Sequence, residues 1–388
     1  MKALVFGAGK IARGFVGQLL ELSGFETTFV DINEELVRSL NVAGRYTVHI
    51  LGDEGLNTEV RHYRAVSLKD ADWIRQAMEE ADLAFTSAGG KNLKSIGKTI
   101  AEAFCGVKRE KILNFITCEN WKDAGKELES AILSQLPPKE AERFRRIAGV
   151  SEGVVMRIAA EPSEEQKERE PLGVWVQNFW ELPVNKDTFK GELPPVKGIY
   201  LLDHFGHFLE QKMYTNNTSN AVIAYNGYLY GYRIVAEAAV SPEITPLLDA
   251  VYQEINAALE AGLQVDPKKQ EELARRAREK YSDPKIVDQI IRHGRDPIRK
   301  LGPEDRLIAP ARMALKHGID PKTIIRTIAA ALYFDEPTDE SAVELKELRE
   351  TKGIPYILTH ICGLSAEEEL YRRVLEAAEE LKQEGLVK

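Results

Sequence analysis

The sequence predicts an α/β nucleotide-binding domain, a doubly wound and mostly parallel sheet, followed by a mainly α-helical domain. Three observations carry this. The chain opens on a short apolar run, Leu4 to Phe6, that leads into Gly7-Ala8-Gly9-Lys10-Ile11-Ala12 and then a helical pattern. Strands and helices alternate up to about residue 180. Helical periodicity dominates beyond about residue 185. The domains are therefore expected over 1–185 and 186–388.

The opening has the form of a strand, a tight turn and a helix N-terminus. The turn needs residues with little or no side chain, so that backbone can approach a pyrophosphate. The helix start then presents free N–H groups and the positive end of its dipole to that anion. A second apolar run, Thr27 to Val30, ends in Asp31. An acidic residue about 20 residues after the glycines can hold a ribose 2′-hydroxyl and would repel a 2′-phosphate. The expected cofactor is NAD, with Gly7, Ala8, Gly9, Lys10, Ile11, Ala12 and Asp31 as its contacts.

Leu83 to Ser87 and Lys111 to Thr117 read as further buried strands from their β-branched and aromatic content. Helical patterns lie around residues 10–22, 33–41, 92–104 and 122–135. Tyr46 to Leu51 and Thr58 to Tyr63 flank Gly52-Asp53-Glu54-Gly55, which predicts an inserted hairpin. Gly149 to Ile158 and Val174 to Phe179 read as extra strands. The charged, Pro-bounded stretch Glu161 to Pro171 is expected to be a mobile surface loop. The second domain is read as helices over 203–238, 244–262, 267–280, 284–293, 303–317, 321–334, 338–350, 353–361 and 365–384. Ligands of doubly wound folds sit outside the carboxyl ends of the strands, which predicts a reacting centre in the cleft between the domains.

A chain of 388 residues exceeds what one hydrophobic core serves, in keeping with two domains. Its net charge of −9 argues against nucleic acid or an anionic membrane as a partner. No apolar run approaches the ~20 residues of a membrane span. The N-terminus enters a strand directly, with no signal peptide. Cys105, Cys118 and Cys362 are odd in number and lack metal-ligand spacing. These features predict a reduced, cytoplasmic setting and no metal. They leave oligomeric state open.

The segment richest in chemistry is Glu210 to Asn220. On an α-helix, Asn217 and Asn220 fall within a ~140° arc of Lys212. One face then carries an ammonium and two amides. A lysine whose pKa is lowered by burial can act as general base for alcohol oxidation. Neutral amides can stabilise the developing alkoxide without adding charge. From spacing alone, a solvated polar face with a snorkelling lysine is the simpler reading.

Motifs elsewhere change that balance. Gly7-Ala8-Gly9-x-Ile11-x-Arg13-Gly14-Phe15, Asp31, Cys118-Glu119-Asn120, Lys212-x4-Asn217 and Gly294-Arg295-x-Pro297-x-Arg299-Lys300-Leu301-x3-Asp305-Arg306-Leu307 occur in this order. Together they resemble the polyol-specific long-chain dehydrogenases, from Met1 to about Gly363. The resemblance implies a metal-independent enzyme that transfers hydride between NAD and a sugar alcohol or its phosphate. It places the general base on Lys212 and the groups that polarise the reacting oxygen on Asn120 and Asn217. The expected reaction interconverts a polyol phosphate, mannitol 1-phosphate-like, and a keto-sugar phosphate, fructose 6-phosphate-like. The alternatives are an unphosphorylated polyol or keto-sugar acid as substrate, or a non-catalytic dinucleotide sensor. Two departures stand out. Asn220 occupies the place of the final His in Lys-x4-Asn-x2-His, and Met156 that of the Asp in Val-Asp-Arg-Ile. Neither is the base, so chemistry can survive while recognition of substrate hydroxyls changes. Lys10, where the family has Asn, would add positive charge near the pyrophosphate.

Arg292, Arg295, Arg299, Lys300 and Arg306 concentrate positive charge in an acidic protein. Guanidinium forks suit phosphate, which makes Arg295 and Arg299 candidate substrate-phosphate ligands. Ion pairing with Asp296, Glu304 and Asp305 is the competing reading. His204 and His207 have a spacing that suits metal, but no third ligand is placed by sequence. His207 is a candidate replacement for the missing motif His, and a surface or core role is the simpler reading of both. Cys118 follows an apolar strand and is expected in the core. Trp121, Trp175 and Trp180 are expected in the core or at a domain interface, and Glu210 on an exposed helix face.

Overall fold

The computed structural model describes residues 1–121, 123–284 and 287–387. The chain divides into two compact units, Met1–Phe205 and Gly206–Lys388. The division falls later than the expected 185/186. Residues 186–205 stay with the first unit because Ile199–Leu202 pairs in parallel with Leu182–Asn185. Loss of alternation is thus a poor marker of the boundary when the last strand pair is short.

The first unit contains β1 (Lys2–Phe6), β2 (Glu26–Asp31), β3 (Tyr46–Ile50), β4 (Thr58–Val60), β5 (Tyr63–Ser67), β6 (Leu83–Thr86), β7 (Leu113–Thr117), β8 (Ala148–Glu152), β9 (Val174–Val176), β10 (Leu182–Asn185) and β11 (Ile199–Leu202). Six of them form an all-parallel sheet in the order β5-β2-β1-β6-β7-β8. The order reverses between β1 and β6, and such switch points are where doubly wound sheets bind ligands. Alternate residues of β1 go to opposite faces. Leu4 and Phe6 pack with Ile74, Ile100, Leu128 and Phe144, while Ala3 and Val5 pack with Phe15, Phe29 and Val176. A sheet buried on both faces explains why its strands read as continuous apolar runs.

β3 and β4 form the expected antiparallel hairpin, and β3 also takes β9 as a parallel neighbour. β8 stops at Glu152, short of the expected Ile158, because Gly153 bridges across to Val184. The stretch Glu161 to Pro171 is not an irregular loop throughout. It holds a helix, Glu164–Arg169, started by a reciprocal cap between Ser163 and Gln166.

The second unit is helical. Its first helix runs from Phe205 to Leu229, with π turns at Met213–Asn217 and Val222–Asn226. Thr245–Leu263, Pro267–Ser282, Ile308–Lys316, Lys322–Ala331, Glu340–Lys352 and Glu369–Gln383 match the periodicity closely. The expected helix over 284–293 is shorter, Ile290–Gly294, and residues 285 and 286 lie outside the described ones. The core gathers around Tyr225, Leu248, Ile255, Ile328 and Leu345. No described helix is long and apolar enough to cross a membrane.

Candidate active site

In the first unit, β1 ends on Gly7, whose φ of 106° is reached readily only by glycine. A Cβ there would lie 2.4 Å from the Ser87 carbonyl oxygen, so the loop crosses the end of β6 at backbone contact. Gly9 faces open space: a Cβ on it would meet nothing within 4 Å. The first glycine makes the turn, and the second keeps room for a bound group. Ala12 is fully buried. Asp31 Oδ2 accepts the Ala8 N–H at 2.7 Å, and its Oδ1 accepts the Asn33 N–H at 2.8 Å. The carboxylate therefore braces the glycine loop, and each oxygen keeps a second lone pair for a ribose hydroxyl. These features fit a dinucleotide. The Lys10 ammonium pairs with Glu161, which offsets the extra positive charge expected at the loop.

The helix after the loop contains a π turn at Ala12–Gly17. Carbonyls displaced from the regular ladder are met by side chains. Tyr46 Oη donates to Arg13 O at 3.1 Å, and Arg157 Nη1 to Gly14 O at 2.9 Å. Arg157 is buried beside the Phe15 and Trp180 rings, and burial lowers its pKa to about 9. Arg13 Nε donates to Ala8 O at 2.8 Å. Two buried arginines thus hold the fingerprint helix and loop.

At the ends of β6 and β7, the buried Glu119 carboxylate accepts from Thr86 Oγ1 at 2.7 Å and the Ala88 N–H at 3.2 Å. Burial raises its pKa. Asn120 beside it is exposed, and its side chain makes no hydrogen bond among the described residues. Cys118 is buried, as expected, and burial pushes its thiol well up. Trp121 is 47% exposed and donates to Glu127, so it is not a core residue. Trp175 is buried and stacked on His49.

In the second unit, Lys212 stands immediately before the Met213–Asn217 π turn. The Thr218 N–H reaches back five residues to the Met213 carbonyl. In such a turn, a spacing of five plays the part that four plays in an α-helix. Lys212 and Asn217 therefore share a face more closely than an unbroken α-helix would allow. The π turn is held from outside. Tyr281 Oη donates to Asn216 O at 2.9 Å, and Gln270 Nε2 to Thr215 Oγ1 at 2.9 Å.

Lys212 has no hydrogen bond or carboxylate partner among the described residues. Burial, with the Arg306 charge adding to it, lowers its pKa from 10.5 to about 8. The Asn217 side chain is likewise without a hydrogen bond among the described residues. Lys280 lies close enough for the Lys212 charge to act on it, and burial lowers Lys280 to about 8. Asn220 is buried, and its amide contacts His293 Nδ1.

Most of the basic cluster is already engaged. Arg299 pairs with Asp296 at 2.6 Å and Asp305 at 3.1 Å, Arg306 with Asp305 at 2.8 Å, and Arg292 with Asp288 at 3.1 Å. Lys300 is buried against the His293 carbonyl, and burial brings it to about 7. Arg295 is exposed and has no ion pair among the described residues. His207 is exposed in the first turn of the Lys212 helix, and the imidazole that meets Asn220 is His293 instead. Among the described residues, no group of three or more His, Cys, Asp or Glu is placed to hold a metal. Lys280, Tyr281, Asp288 and His293 carried no motif in the sequence. The one signal available was their position at the ends of helices just before the Arg-rich segment.

Comparison with known proteins places these features. The mannitol dehydrogenase Rossmann domain family matches residues 1–198, and the mannitol dehydrogenase C-terminal domain family matches residues 204–383. The chain belongs to the mannitol dehydrogenase family. Mannitol-1-phosphate 5-dehydrogenase of Bacillus pumilus is 34% identical over 97% of this chain and 99% of that protein. The enzyme of the same name from Caldanaerobacter subterraneus is 35% identical over 98% and 99%. Among solved structures, a D-sorbitol dehydrogenase in substrate-free form superposes with a TM-score of 0.80 at 16% identity, over 99% of this chain and 93% of that one. Mannitol 2-dehydrogenase of Pseudomonas fluorescens, solved with NAD and D-mannitol, gives 0.72 at 14% over 100% and 92%. This mannitol dehydrogenase family member is an oxidoreductase with an N-terminal Rossmann-type domain and a helical C-terminal domain.

Proposed function

We propose that the protein is an NAD-dependent polyol-phosphate dehydrogenase with Lys212 as its general base. One observation carries the reading: a half-buried lysine without a counter-ion among the described residues, its pKa lowered to about 8, on the same face of a π turn as an amide with no hydrogen bond among them. A lysine so placed is neutral often enough near neutral pH to accept a hydroxyl proton. The Asn217 amide then donates to the oxygen as it gains negative charge. The resemblance assigns Asn120 to the same task, and the bulk of the relatives' name supplies the substrate class. Asp31 selects a free ribose and so NAD over its 2′-phosphorylated form. When bound, NAD supplies the hydride acceptor. Arg295, exposed and without an ion pair among the described residues, is the cation we assign to the substrate phosphate.

Mannitol 1-phosphate and fructose 6-phosphate are the first substrates to try, given the names of the relatives. The test is Lys212→Ala. Oxidation should be lost while NAD affinity, read by fluorescence titration, stays within about twofold. A variant that keeps most of its alcohol-oxidising kcat removes Lys212 from the chemistry.

A further inference from the structure

Asn220 and His293 form a pair that the chemistry above does not use. Asp288 Oδ2 accepts from His293 Nε2 at 2.7 Å. His293 Nδ1 contacts the Asn220 amide nitrogen. The amide nitrogen, not its oxygen, faces Nδ1, which is the arrangement of an Asn220 N–H donated to the ring nitrogen opposite the one that donates to Asp288. The His293 backbone is fixed as well: its carbonyl accepts from Lys300. The Tyr281 ring meets the imidazole edge-on, with centroids 6.4 Å apart, while its hydroxyl holds the π turn at Asn216. The Asn220 side chain also hydrogen-bonds the Tyr281 hydroxyl, whose own proton goes to Asn216 O, so the amide nitrogen is tied down from two sides. Asn220 lies two turns beyond Lys212 on the same helix. A half-buried carboxylate, an imidazole and a buried amide in series is a costly way to hold a mere core contact.

We propose that His293, clamped between Asp288 and Asn220, is a positioning residue that fixes Asn220 Oδ1 as an acceptor for a polyol hydroxyl and so sets which hydroxyl configuration the enzyme prefers. This rests on the polyol-phosphate reading. The sequence lacks an imidazole at position 220, and the fold brings one to that place from another helix. A freely rotating amide could offer either N–H or C=O to substrate. With one amide N–H on the ring and the other on the Tyr281 hydroxyl, the amide offers C=O to substrate and therefore selects a hydroxyl that donates.

The test compares kcat/KM for a pair of epimeric hexitol phosphates in the intact enzyme, His293→Ala, Asn220→Ala and the double variant. His293→Ala should change the epimer ratio by at least about tenfold, mostly through KM. In the Asn220→Ala background the same change should move the ratio no further, since the histidine acts through the amide. His293→Gln, whose amide can accept from Asn220 and donate to Asp288, should restore most of the original ratio. It also serves as the readout if His293→Ala does not fold. An unchanged ratio in His293→Ala, equal effects with and without Asn220, or failure of His293→Gln to rescue would overturn the inference while leaving the dehydrogenase reading intact. An intact enzyme that binds NAD yet oxidises no hexitol phosphate overturns both.

Discussion

At the residue scale, the central fact is a lysine made a weaker acid trap by its surroundings. Burial and the Arg306 charge both favour neutral Lys212. The proposed role of Lys212 as base in oxidation requires the unprotonated amine. kcat/KM should therefore rise about tenfold per pH unit at low pH and level off above about 8. The reduction direction, which needs the protonated form, should show the opposite slope. Arg306→Gln removes a positive neighbour and should move the break to higher pH. A profile flat between about pH 6 and 9 would contradict the assignment. The same shift has a cost in stability. Between about 8 and 10.5 the unfolded chain holds a proton that the folded chain has lost, so this group makes stability rise with pH across that window. Below it the folded protein carries a buried charge in full. Lys212→Met should therefore melt at least about 2 °C higher than the unmodified protein at neutral pH, read by calorimetry. Asn217→Ala should lower kcat by on the order of 2.7–4 kcal/mol in barrier terms, as for the loss of other oxyanion donors. Lys212 and Asn217, the proposed base and its amide partner, stand out in the sequence through their motif. Lys280 and His293 do not, because each becomes informative only through a neighbour far away in sequence.

At the element scale, both sites use π turns, one at Ala12–Gly17 and one at Met213–Asn217. Each leaves carbonyls that a regular helix would satisfy, and side chains from other elements take them up. Tyr281→Phe removes the donor to Asn216 O. It should cost about 1–3 kcal/mol of stability and also lower kcat, because the turn sets the angle between Lys212 and Asn217. A stability loss with kcat unchanged would mean that the turn is only structural. Gly7→Ala combines a positive φ with a Cβ 2.4 Å from a backbone oxygen. It should weaken NAD binding by at least about tenfold, since strain of this kind costs on the order of 1–3 kcal/mol before any clash is relieved. Periodicity does not reveal a π turn in helices this short: one inserted residue displaces the apolar stripe by about 100°, and so few turns on either side do not define the two phases. The buried strands were easier to read, since a sheet covered on both faces demands unbroken apolar runs. β10 and β11 leave little mark in the sequence, because they are short and follow the point where alternation fades. The capped helix Glu164–Arg169 was hidden by its charge, although Ser163 and Gln166 spell out its start.

At the scale of the whole molecule, two-part organisation and dinucleotide binding were legible because each follows from order along the chain. Charge clusters were less so. Five cations in the Arg-rich segment look alike in sequence, and only geometry separates Arg299, paired twice, from Arg295, paired with nothing described. Arg295→Ala should raise KM for a polyol phosphate by on the order of tenfold, from the loss of a charge-assisted hydrogen bond, and leave the free polyol nearly unaffected. Arg299→Ala should instead lower stability and weaken both substrates alike, since it takes the ion pair from Asp296 and one of two from Asp305. Equal, parallel effects of the two variants on both substrates would remove phosphate binding from this segment. The most direct measurement for the account as a whole is NADH formation by the unmodified protein with mannitol 1-phosphate and with mannitol, at matched concentrations. The account predicts turnover that favours the phosphate ester by kcat/KM. Faster oxidation of the free polyol, or no NADH from either substrate while NAD binds, would contradict it.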